Sequence, residues 1–185
     1  MKTVRNKLAL LVPALTALLL AVTNLWALDP GADGYYKTGE GIREKSIAFI
    51  SVNVYRISHH IKELPSAKSK QALIDADVDK KFVLTLMRDV DREKMQNALK
   101  DSLALNGYTN KANIDKFLGA MTNELKEKSH VTFSYSAEKK ATTIKVDGGG
   151  TATVAGVDFM KGIWSIWFGK IDQPKLTEQL MSKLP

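Results

Sequence analysis

From Ile47 to Ile57 apolar and polar residues alternate with a high content of β-branched side chains, which predicts a strand with one face buried. The stretch before it, Tyr35 to Lys45, is polar with Gly39 and Gly41 and reads as the partner strand of a hairpin. Pro65 breaks the pattern. Lys68 to Ala76 then carries Ala72, Leu73 and Ala76 at helical spacing, and Phe82 to Met87 returns to strand character. Asp91 is placed to cap a helix with Met95, Ala98, Leu99 and Leu103 on one face, and Gly107 to end it. From Asn113, a second candidate cap, Ile114, Phe117, Leu118, Met121 and Leu125 recur at offsets of three and four. The lysines that follow suit the negative end of a helix dipole. Val131, Phe133 and Tyr135 alternate with polar residues, Glu138-Lys139-Lys140 turns the chain, and Thr142 to Val146 pairs back. Asp147-Gly148-Gly149-Gly150 is a second turn, into Thr151 to Ala155. Phe159 to Phe168 is almost wholly apolar, a helix buried on most sides that Gly169 ends; Pro174 opens a last helix that turns Leu176, Leu180, Met181 and Leu184 inward.

Strands grouped with strands, and helices between and after them, imply an α+β domain with an antiparallel sheet covered by helices; a doubly wound parallel sheet fits poorly. The first residues add a targeting segment. Lys2, Arg5 and Lys7 precede an uncharged apolar run from Leu8 to Val22, interrupted by Pro13 and Thr16. That is the layout of a signal peptide, and the run is shorter than the ~20 apolar residues a membrane span needs. Cleavage after Ala27 is expected, leaving one domain over 28–185 in the periplasm or secreted; an uncleaved anchor is the alternative. Lys2, Arg5 and Lys7 leave with that segment, which takes the net charge from +7 to +4. Lys and Glu alternate over the remainder, as in Glu124 to Lys128, so no basic stripe argues for nucleic acid. The absence of cysteine excludes disulfides, thiolate catalysis and Cys-ligated metal.

The three histidines, His59, His60 and His130, lie in no nucleophile or metal motif. Neighbours on a strand face opposite ways, so His59 and His60 cannot readily share one ion. They read as half-exposed strand-end residues, with a lone axial ligand to haem as the alternative. The glycine run 148–150 leads into a strand and is a turn, not a phosphate cradle. Trp164 and Trp167, three apart on one helical face, fill core or line a pocket for a flat apolar ligand. Arg43 stands in Gly39-Glu40-Gly41-Ile42-Arg43, where glycine permits close approach of another backbone or a ligand. Its guanidinium is either solvated or, inside an apolar cleft, a fixed cation for a carboxylate or an enolate.

The segment Gly39 to Tyr55 resembles the Gly-x-Gly-x-Arg strand pair near the start of chalcone isomerase-like domains. Gly156-Val157-Asp158-Phe159, Ile166-Trp167-Phe168-Gly169 and Leu176 to Leu184 are similar to the closing helices of the exported bacterial branch of that family. The resemblance covers the chain after the leader and implies an open-faced β-sandwich, a large antiparallel sheet with helices packed on one side and a cleft between. It implies for Arg43 the role of the family's arginine, which stabilises an oxyanion in the enzymes and binds a fatty-acid carboxylate in non-catalytic relatives. The catalytic tyrosine, asparagine and threonine align with Met95, Ser102 and Ile50, which lack the needed hydroxyl and amide groups. The expectation is therefore a non-catalytic binder of an apolar ligand with an anionic head, with Arg43, Ile50, Met95, Ser102 and Trp164 as its ligand-binding residues, no catalytic residue, no metal and no cofactor. Alternatives are a chalcone isomerase-type enzyme, a haem protein using His59 or His60, and a structural or partner-binding module whose cleft is filled.

Overall fold

A computed structural model describes residues 28–47 and 49–185; the expected leader lies outside the described residues. Six antiparallel strands follow one another across a single sheet in chain order: β1 (Tyr36–Ile47), β2 (Ile50–Ile61), β3 (Lys80–Leu86), β4 (His130–Ser136), β5 (Ala141–Val146) and β6 (Thr151–Ala155). The helices are α1 (Lys70–Asp75), α2 (Arg92–Leu105), α3 (Lys111–Leu118), α4 (Val157–Phe168) and α5 (Pro174–Leu180). The fold is the α+β, open-faced arrangement anticipated. Odd-numbered residues of β2 from Tyr55 to Ile61 are buried and the even ones are not, as are the alternate residues of β3, because only one face of the sheet is covered.

α4 is the central helix of the covering layer. Phe159, Met160, Ile163, Trp164, Ile166, Trp167 and Phe168 are all buried, as the apolar run predicts. The helix begins at Val157, two residues before that run, after Gly156 with a φ of 116°. α5 starts at Pro174, which fills a position whose N–H would have no intrahelical partner. It lies directly on β1: a Cβ on Gly39 would stand 2.1 Å from the Gln179 carbonyl oxygen, and one on Gly41 2.6 Å from Leu176 Cδ1. The close approach that these glycines permit is therefore made by a helix.

Three expectations need correction. The hairpin turn falls after Ile47, so Ile47 belongs to the first strand, opposite Ile50. The third helix is capped by Asn110, whose side chain accepts from Asn113 N–H, and it stops at Gly119. Met121 and Leu125 continue its apolar spacing but not its backbone, because Leu125 and Val90 exchange both backbone hydrogen bonds, at 2.8 and 3.1 Å, and draw the chain away. His59 is fully buried, not half-exposed, since β2 carries it under α4 and α5.

Candidate functional site

His59 sits in a closed chain of hydrogen bonds. Trp164 Nε1–H donates to His59 Nε2 at 3.0 Å, so that nitrogen carries no proton. Nδ1–H then donates to Thr38 Oγ1 at 2.8 Å, and the Thr38 hydroxyl donates to the Leu180 carbonyl at 2.8 Å. Burial holds the His59 pKa well below its ordinary value, with the nearby Lys80 charge adding to the effect, and the ring is neutral. Both ring nitrogens are engaged, so this residue has no lone pair to offer a haem iron. The ring also packs against Phe82 and Phe168, with centroids 4.8 and 5.0 Å away. Beyond Trp164 the fully buried Lys80 ammonium donates to the Leu73 and Ile74 carbonyls at 2.8 and 3.1 Å, and stands 4.7 Å from the Trp164 ring centroid. Those carbonyls lie in the last turn of α1, where a cation is favoured.

At the other end of the layer is Arg43, in register with Tyr55 immediately before an irregularity in the β1–β2 ladder. Opposed residues share a face, so both side chains point to the helical side. The guanidinium makes a two-toothed contact with Asp172, Nη1 to Oδ1 at 2.7 Å and Nη2 to Oδ2 at 2.9 Å. Gln173 locks the same corner, accepting from Arg43 Nη1 and from Glu44 N–H and donating to the Ile42 carbonyl at 3.0 Å. The two charges are unequally placed: 22% of the Arg43 side chain is exposed against 76% of Asp172. Burial works against the charge on Arg43, but the Asp172 hydrogen bond prevails and its pKa is raised; Arg43 in turn holds Asp172 below the carboxylate range. Tyr55, buried, accepts from Trp167 Nε1–H at 3.1 Å, while its own hydroxyl hydrogen has no acceptor among the described residues. A cation and an unused hydroxyl donor thus meet beside the aromatic layer.

A sequence profile described as chalcone isomerase-like matches residues 34–181. The chain belongs to that family. A solved structure of an Arabidopsis thaliana fatty-acid binding protein superposes with a TM-score of 0.67 at 15% identity, covering 85% of this chain and 91% of that one. At that identity the likeness is one of fold. No curated protein matches the chain.

Within this chalcone isomerase-like domain the five expected ligand-binding residues do not form one group. Arg43 occupies the polar corner just described, and Trp164 is part of the buried histidine chain. Met95 is packed in the core. Ser102 bonds its hydroxyl back to the Ala98 carbonyl at 2.8 Å. Ile50 opens β2 at the hairpin end, 66% exposed, four ladder positions beyond Arg43. Sequence reasoning passed over Tyr55 and Asp172. Counting back along the hairpin from its turn would have set Val54 opposite Arg43; the irregularity between Arg43 and Glu44 is what moves Tyr55 there, and nothing in the sequence points to Asp172. Two surface depressions, of about 450 and 330 Å³, are lined by residues such as Asn123, Lys126 and Asp147, and Asp79, Ser134 and Thr143; neither touches Arg43 or α4.

Proposed function

We propose that this protein is a non-catalytic binder of an apolar ligand with an anionic head, of the fatty-acid class, acting in the periplasm or outside the cell after loss of residues 1–27. The observation that carries this reading is the bidentate grip of Arg43 on a carboxylate, beside the unused Tyr55 hydroxyl. A ligand carboxylate replacing Asp172 would keep both guanidinium contacts and gain the tyrosine as a further donor. Asp172 is the partner better suited to leave, since most of it is already in water. The fatty-acid-binding function of the Arabidopsis protein of like fold supports the choice of ligand class. An apolar tail has to displace part of the aromatic layer, so binding includes outward movement of the segment from Gly169 to Gln173.

Titration with a long-chain fatty acid tests the reading. Wild type should bind saturably and Arg43→Lys should recover only part of what Arg43→Ala loses, because an ammonium cannot reproduce the planar two-point contact. Absence of saturable binding by wild type would refute it. The filled-cleft module is favoured by one observation, the tight packing of Trp164, Trp167 and Phe168 where the tail would lie; on that reading Arg43→Ala changes nothing but the melt. Chalcone cyclisation above the buffer rate is not expected, and saturable turnover would restore the enzyme.

A further inference from the structure

Beyond Arg43 and Tyr55 the first hairpin leaves the sheet. β3 pairs with β2 only from Tyr55 to Ile61, whereas β1 and β2 stay paired from Glu44 and Asn53 out to Ile47 and Ile50. A two-stranded arm of this kind is marginal by itself in water. Its faces are sorted. Directly opposed residues share a face, so Lys45 and Val52 stand on one side with Ile50, and Glu44, Ser46, Ser51 and Asn53 on the other. At the tip Phe49 is fully exposed with a φ of 73°, a conformation that costs a bulky residue energy, and Ile50 is largely exposed beside it. The sheet could have ended at Arg43 and avoided both costs.

We propose that this arm is a membrane-contact element, with Phe49 and Ile50 entering the interface of a bilayer that carries anionic headgroups and Lys45 reaching their phosphates. The area of the tip favours a lipid surface over a protein. An aromatic side chain buries roughly 150–250 Å², so two side chains on a convex tip fall well short of the ~800 Å² per partner of a stable protein interface. Insertion into lipid gains side chain by side chain and requires no complementary shape. The charge pattern agrees, because the cation shares the apolar face while the acid, Glu44, is held on the opposite one by the Ser51 hydroxyl at 3.1 Å. Arg88, exposed just after β3 ends against Tyr55, adds a second cation at the root of the arm.

The chain has no cysteine, so single labels are clean. Phe49→Cys carrying an environment-sensitive NBD dye is compared with the same dye on Glu138→Cys, in the β4–β5 turn at the far end of the sheet. With phosphatidylglycerol-containing vesicles, emission at position 49 should rise several-fold and shift to the blue, while position 138 stays unchanged. Adding Ile50→Asp should lower the vesicle-bound fraction about tenfold without altering the melt, since the side chain is exposed. A silent label at position 49 overturns the proposal, as does an equal response at both positions. A response at position 49 that grows with protein concentration without vesicles also overturns it, and assigns the tip to a second copy of the chain. No fatty acid is present, so this result stands apart from the ligand titration.

Discussion

Lys80 and Arg43 are cations at opposite ends of the layer between sheet and helices, and the protein treats them in opposite ways. Lys80 is wholly buried and, among the described residues, bonds two backbone carbonyls and faces a tryptophan ring; burial pushes its pKa down to about 7 despite Asp75 and Asp77 nearby. Arg43 is partly open and grips a carboxylate that is mostly in water, and its pKa is raised. A cation held by fixed carbonyls inside a packed core has no partner to exchange and serves stability. A cation whose partner is an exposed, hydrated side chain can trade that partner for another anion. The difference identifies which of the two is suited to a ligand.

The comparison breaks most visibly at Trp164, which supports Lys80 and bonds His59. Trp164→Ala should cost about 3–5 kcal/mol, from the cavity and the orphaned imidazole, seen as a large fall in the midpoint of a denaturant melt. The pH dependence comes next. Unfolded, Lys80 holds its proton up to about 10.5, and folded it releases it near 7, so the unfolded chain binds more protons in between. Stability should therefore rise with pH through that window, by at most about 1.4 kcal/mol per unit from this one group. Lys80→Met should flatten the rise. His59, lowered in the fold, has the same sign at lower pH: its contribution is present above about 6.5 and is lost as pH falls.

The Arg43 end should respond in affinity more than in stability. Arg43→Ala should weaken fatty-acid binding about ten- to a hundredfold, the loss of a charge-assisted contact worth ~1.5–3 kcal/mol. The smallest effect belongs to Asp172→Asn. With so exposed a partner the melt should move by less than about 1 kcal/mol, while affinity rises a few-fold because the internal competitor is gone. A sharp fall in melting temperature in Asp172→Asn would mean that the pair is structural and would place Arg43 with Lys80.

Residue periodicity was enough for the sheet and for α4, since the alternation of Val131, Phe133 and Tyr135 and the unbroken run from Phe159 to Phe168 each admit one burial pattern. It misplaced the end of α3, because Met121 and Leu125 keep helical spacing while a backbone exchange with Val90 decides their conformation. It also marked Arg43 as unusual through the glycines around it, which turned out to accommodate α5. The sequence by itself thus determined the order of elements, the covered face and the family. Tertiary structure alone decided what each polar group meets: that His59 lies between Thr38 and Trp164, that Lys80 meets the Leu73 and Ile74 carbonyls, and that Arg43 faces Asp172 from 129 residues away. Local spacing governs which residues share a face. The partner of a charge depends on which distant segments the packed core brings together, and a single sequence does not spell out those pairings.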